Sequence, residues 1–166
     1  MRSLAAKCDV LLENYKFGDL ARYGLAYDET RIQKALRAAG LDFTRMGEPE
    51  LLERTARELA DGKIVGWFQG RSEWGPRALG HRSILADPRR AEMREVLNAK
   101  IKRRESFRPF APSILEESFA EWCDHPVFSP YMQIAFTVPE AKRGKIPAAV
   151  HVDGTSRINV VRQGDN

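Results

Sequence analysis

Residues 70–85, GRSEWGPRALGHRSIL, hold the densest set of chemistry-bearing side chains in the chain. Glycines at Gly70, Gly75 and Gly80 alternate with Arg71, Arg77 and Arg82, and the run closes on Ser83. Glycine lets a backbone approach a ligand closely, and arginine presents a planar fork of donors matched to phosphate or carboxylate oxygens. The pattern suits an anion-binding loop, although the same composition also describes a solvated basic loop whose glycines only make turns. Further along, Lys100, Lys102, Arg103 and Arg104 form a basic run. Arg108 sits between Phe107 and Pro109-Phe110, an apolar frame that would hold its fork in place. His151, Ser156 and Arg157 gather around one turn, HVDGTSR. The histidines and cysteines show no metal-ligand spacing, and no Walker loop, nucleophile elbow or catalytic carboxylate pair is present.

Charge focuses where these residues lie. The net charge of the 166 residues is +4, yet residues 71–108 alone hold eleven Lys and Arg against five Asp and Glu. The rest of the chain is therefore slightly acidic. Such focusing suits a polyanion, either a nucleotide or a nucleic-acid backbone. The length fits one domain with its own core. Cys8 and Cys123 form no redox motif and imply no disulfide. No apolar run approaches a membrane span and the first residues do not read as an export signal, so a cytoplasmic location is expected.

The elements that must position these side chains follow from periodicity. Ile32, Ala35, Leu36 and Ala39 recur at helical spacing after a cap at Asp28 or Thr30, with Gly40 ending the helix. A second helix begins near Pro49 and is expected to bury Leu51 or Leu52, Thr55, Ala56 and Leu59. Residues 63–69 are apolar on both faces and read as a central strand delivering the chain into the glycine–arginine loop. Residues 83–86 read as a short strand. Asp87-Pro88 then predicts a helix to about Lys102 with Met93, Val96, Leu97, Lys100 and Ile101 on one stripe, so that Lys100 points inward or snorkels along the seam. Residues 104–113 are an ordered extended loop, 116–122 a short helix, 131–138 a half-buried strand, and 148–161 a hairpin. Interleaved helices and strands make the fold class α/β, with α+β as the alternative.

Two resemblances extend this reading. Residues 28–166 strongly resemble the C-terminal domain of the nodulation and antibiotic-pathway O-carbamoyltransferases, through GWFQGRSEWGPRALGHRSILADPR, LNAKIKRRESFRPFAPSIL, SPYM and HVDGTSR. His81 departs from the asparagine more usual at its position. The resemblance implies a YrdC-like twisted mixed sheet with flanking helices and a concave basic pocket. It implies ATP, with Mg2+, and carbamoyl phosphate as ligands, joined into carbamoyl-adenylate with loss of pyrophosphate and phosphate. Arg71, Arg77 and Arg82 would then meet phosphate oxygens, and Lys100 and Arg108 the transferring group. Gly75, Gly80, Ser83, Asn98, His151, Ser156 and Arg157 would contact nucleotide or carbamoyl atoms. Transfer to an acceptor hydroxyl is expected in a separate N-terminal domain with its own metal site, not found in this sequence. The chain also stops before a further Asn-Thr-Ser-Phe-Asn stretch of that family, so turnover by this chain alone is not expected. Residues 1–27 form a leader that weakly resembles a family III CoA-transferase segment, and no CoA-binding residue carries over. A nucleic-acid-binding module and an inactive fragment are the competing functional readings; the first would rest on Phe107 and Phe110 among the basic residues.

Overall fold

A computed structural model describes residues 10–14, 29–69, 73, 75–124, 129 and 131–162. Its first sheet is built around β2 (Val65–Gln69), with β1 (Val10–Asn14) parallel on one side and β3 (Arg82–Leu85) antiparallel on the other. The central position expected for residues 63–69 is thus observed, and Val65 is fully buried. A parallel return demands a crossover. It is supplied here by α1 (Glu29–Ala38) and α2 (Glu48–Ala60).

Helix α1 ends at Gly40, whose φ of +65° is the left-handed conformation glycine adopts without strain. It buries no residue, so its apolar positions only lean on the molecule. Helix α2 starts with Pro49 in its first turn and buries Leu51 and Thr55. Leu52 and Ala56 face solvent, so the stripe is narrower than its sequence spacing suggests. Leu51 packs with Val65 and Trp67 against Met46, Leu59 and Leu85, fixing α2 to the sheet.

The helix expected from Asp87 to Lys102 is different in kind. Asp87 caps a turn rather than a helix, its Oδ1 accepting the Arg89 amide at 3.0 Å. Helix α3 (Met93–Val96) then runs into a π-helix (Leu97–Lys102). Widening the turn rotates the following positions relative to a 3.6-residue period. Met93, Leu97, Asn98 and Ile101 face inward, while Val96 and Lys100 are exposed. The inward placement expected for Lys100 is therefore corrected, and Asn98 takes the buried polar position instead. Ile64, Met93, Leu97, Ile101 and Ala148 form the core beneath this segment.

The second half consists of two small sheets. Strand β4 (Ser113–Leu115) is followed by a 3₁₀ turn (Glu116–Ser118) and α4 (Phe119–Trp122), then β5 (Phe136–Thr137) and α5 (Glu140–Arg143). A 3₁₀ turn (Pro147–Ala149), β6 (Thr155–Ser156) and β7 (Asn159–Val161) complete the described order. Strand β7 pairs in parallel with β4, and β6 antiparallel with β5. The expected 148–161 hairpin does not form: of its first arm, 149–152, Ala149 ends the 3₁₀ turn and the rest is not strand, and β6 and β7 each find another partner. The 131–138 run keeps the expected alternation, with Phe136 and Val138 fully buried and Tyr131, Gln133, Ala135 and Thr137 exposed. Its ladder is only two residues long, plus a bridge from Tyr131 to Asn159. Phe119 and Phe136 meet edge to face at 5.3 Å in a core shared with Ile114, Cys123, Ile158 and Val160. Burial pushes the Cys123 thiol up to about 11, so it acts as a small apolar core residue. The architecture is a mixture of helices and small sheets consistent with α/β. Among the described residues, no helix is long and apolar enough to cross a membrane.

Candidate anion-binding site

The glycine–arginine loop is stitched closed from within. The Gln69 amide donates to the His81 carbonyl at 2.9 Å, joining the end of β2 to the start of β3. Arg82 Nη1 donates to the carbonyls of Gln69 and His81, and its guanidinium stacks 3.3 Å from the Phe68 ring centroid. Arg82 thereby serves the loop's own geometry, whatever else it meets. Gly75 and Gly80 have φ of +112° and +119°, values that side-chain-bearing residues rarely adopt, and so permit the two bends. The Gly80 amide donates to Ser83 Oγ at 3.0 Å. Arg77 lies on the exposed arch between those bends. Arg71 falls outside the described residues.

The second cationic group lies after the π-helix. Asn98 is fully buried and all of its side chain is used by residues 104–108. Its Nδ2 donates to the carbonyls of Ser106 (3.1 Å) and Arg108 (2.8 Å), and its Oδ1 accepts from Arg104 Nε at 2.7 Å. The Arg104 guanidinium also lies over the Phe110 ring at 4.9 Å. Arg103, in left-handed conformation with φ +49°, ends the π-helix and turns the chain toward this loop. Burial holds Arg104 below the usual guanidinium range; the charge of Arg108 adds to that, Glu105 opposes it, and Arg157 lowers it further. Arg108 and Arg157 are therefore each near enough to Arg104 to repel it. Among the described residues, Glu105 pairs directly with this group, 3.3 Å from Arg108 Nε.

Arg157 arrives on the turn ahead of β7. Gly154, φ +82°, allows its amide to donate to the His151 carbonyl at 3.0 Å, while the His151 amide donates to Thr155 O at 2.8 Å. Asp153 Oδ1 accepts from both the Thr155 amide and its hydroxyl, which hold the Asp153 carboxyl below its ordinary range. Ser156 is fully buried and its Oγ donates to Ala149 O at 2.7 Å, so it anchors the turn. His151 is half-buried beside it. Asn159 joins the two cationic regions, its Nδ2 donating to Leu79 O in the arginine loop and to Ser113 Oγ in β4, each at 3.2 Å.

The sequence-derived candidates thus divide. Arg108 and Arg157 each bear on Arg104, Arg77 stands on the arch, and Ser83, Asn98 and Ser156 are bound up in positioning. Lys100 is exposed on the π-helix. Arg104 was visible only as part of a basic run, and nothing in its spacing marked it as the member held by Asn98. Glu73 and Asn159 carried no signal beyond lying in or near the motifs. A cleft of about 210 Å³ lined by Pro112, Ile114, Leu115, Trp122 and Ile146 among others holds no charged side chain.

Comparison with known proteins gives the chain's family. The family model described as carbamoyltransferase C-terminus matches residues 56–166. The chain belongs to that family. It is 48% identical over 120 residues to the nodulation protein NolNO of Sinorhizobium fredii, covering 70% of this chain and 18% of that protein. It is 48% identical over 129 residues to NolO of Bradyrhizobium diazoefficiens, covering 76% and 23%. With the 3'-hydroxymethylcephem-O-carbamoyltransferase of Amycolatopsis lactamdurans, identity is 38% over 137 residues, covering 77% and 26%. The chain thus spans roughly a fifth to a quarter of these relatives' lengths.

Proposed function

We propose that this carbamoyltransferase C-terminal domain binds ATP and carbamoyl phosphate and supports formation of carbamoyl-adenylate, for O-carbamoylation of a small-molecule hydroxyl. The observation carrying this reading is Arg104, fixed by Asn98 and Phe110 with the charges of Arg108 and Arg157 bearing on it. Guanidinium groups held close against their own repulsion are stabilised by an anion between them. In the net reaction a carbamoyl oxygen bonds the α-phosphorus of ATP and the α–β phosphoanhydride bond breaks. Pyrophosphate leaves with that bond's electron pair, and water releases phosphate from carbamoyl phosphate. Charge grows on phosphate oxygens throughout, so fixed cations contribute more than an acid or base would.

In this reading Arg108 and Arg157, with Arg104, hold the transferring group and adjacent phosphates. Arg77 reaches the nucleotide phosphates from the arch, and Arg71 of the same motif is assigned to them as well. Lys100 contacts ligand from the exposed side of the π-helix, and His151 lies at the rim. Mg2+ bound with ATP would neutralise part of the phosphate charge. Among the described residues no group of three or more His, Cys, Asp or Glu converges, so the nucleotide itself would carry that ion. The YrdC-like arrangement around a concave basic surface, a cytoplasmic location, and transfer by a further domain of the whole protein complete the reading.

Isothermal titration of the chain with ATP and Mg2+, then with carbamoyl phosphate, tests it. Micromolar binding that Arg108→Glu or Arg77→Glu abolishes without lowering the melting temperature is expected. Unchanged affinity in both variants overturns the assignment. Phe107, 71% exposed beside Arg108, favours one other reading, a single-stranded RNA platform. Salt-steep RNA binding without any ATP binding would establish that reading instead.

A further inference from the structure

The Leu79 peptide is held from both sides. Its carbonyl accepts from Asn159, and its amide donates to Glu73 Oε1 at 2.7 Å. The same oxygen accepts the His81 amide at 3.1 Å. One carboxylate oxygen thus grips two alternate amides of a segment whose intervening glycine has positive φ. Glu73 Oε2 is buried with no hydrogen-bond partner. Half of the carboxylate's solvation has been given up, which is tolerated only if the other oxygen does something the fold requires.

We propose that Glu73 is the positioning residue of the anion-binding loop: it holds the arch that presents Arg77. Two bends with glycine at each would leave residues 75–80 with many backbone states. Arg82 and the Gln69–His81 bond close the base of the loop. Ser83 Oγ takes the Gly80 amide and Asn159 the Leu79 carbonyl, while Glu73 holds the amides on either side of Gly80, those of Leu79 and His81. A backbone fixed before ligand arrives does not have to be ordered on binding, so the benefit appears as affinity. An acceptor oxygen is what the geometry needs, rather than the negative charge.

This inference rests on the proposed ATP site for its affinity readout, and amide exchange gives a readout independent of it. Glu73→Gln keeps an acceptor oxygen; Glu73→Ala removes it. In the purified chain, Glu73→Ala should accelerate hydrogen exchange at the Leu79 and His81 amides and weaken Mg-ATP binding by about tenfold or more. Glu73→Gln should stay close to wild type in both. Wild-type exchange in Glu73→Ala, wild-type affinity in Glu73→Ala, or equal damage in the two variants would overturn it. If the unaltered chain fails to bind ATP, the proposed function falls, while exchange at these two amides still decides the positioning role. If Glu73→Ala does not fold, Glu73→Gln decides: retained protection of both amides supports the role and lost protection sinks it.

Discussion

Asn98 commits every hydrogen-bonding atom of its side chain to the 104–108 loop, and it does so fully buried. Asn98→Asp would replace two donors with an acceptor facing the carbonyls of Ser106 and Arg108. Two carbonyls losing part-buried hydrogen bonds, at about 0.5–1.5 kcal/mol each, predict a loss of about 1–3 kcal/mol in urea unfolding, partly offset by Arg104. The same variant should weaken ATP binding, because the backbone of Ser106 and Arg108 loses its donor while Arg104 keeps its acceptor. Asp87 makes a pH prediction. Its carboxylate is 6% exposed and chelates Arg89 through Nε (2.8 and 3.0 Å) and Nη2 (2.7 Å). The Arg89 hydrogen bonds hold it below its ordinary range, and burial opposes them only in part. A carboxyl depressed on folding contributes stability that is present above its unfolded value, about 3.9. That contribution is lost as pH falls through the lower folded value. Asp87→Asn should therefore cost about 1–2 kcal/mol at neutral pH, allowing for the exposed arginine partner. The two proteins' stabilities should converge in acid, which unfolding titrations between neutral pH and about pH 3 would show.

At the scale of elements, the π-helix decides which residues face inward, and it is the feature a sequence pattern reads worst. Met93, Leu97 and Ile101 are legible because all three are apolar and buried either way. Lys100 and Asn98 exchange roles because a fixed 3.6-residue period has no means to register one widened turn. The strands show the complementary case. Phe136 and Val138 follow from alternation alone, since side-chain direction is local, whereas their ladder partners depend on distant chain. Hence the alternation of 131–138 was readable and the pairing of β6 with β5 and β7 with β4 was not. The turn between the 3₁₀ segment and β6 gives a further prediction. Gly154 has positive φ, and a Cβ there would collide with the Arg143 guanidinium, whose Nε donates to Val138 O at 2.9 Å. Gly154→Ala must strain the backbone and displace that arginine, for about 1–3 kcal/mol, read as a lower urea midpoint with unchanged m-value. Arg143→Ala should recover part of the loss when combined with it, because the clash then disappears and only the φ penalty remains.

Across the whole molecule, the side chains proposed to bind anions come from segments far apart in sequence, and the sheet built on β2 is the frame from which the first loop departs. The motifs of residues 63–85 were legible because they are contiguous. Their connection to Arg157 was not, because Asn159 makes it across 80 residues with one amide. Strand β1 falls within the run DVLLENY, whose sequence reads as extended, in a leader with no motif shared with the rest. It pairs with β2 over five residues, Val10 opposite Val65 through Asn14 opposite Gln69. Removing residues 1–27 would leave β2 as an edge, with backbone groups of buried Val65 and Gly66 deprived of partners. A lost parallel ladder of this length amounts to about 2 kcal/mol or more. At about 2–4 °C per kcal/mol for a chain of this size, the melting temperature should fall by about 5 °C. The consequence extends to function, because Gln69 at the end of β2 closes the arginine loop through His81 and Arg82. Deletion should therefore weaken ATP binding as well as stability, with exchange at the Gln69 amide rising in step. A deletion variant that melts and binds like the full chain would mean that β1 contributes nothing to the frame, and that the loop is held from the β3 side alone.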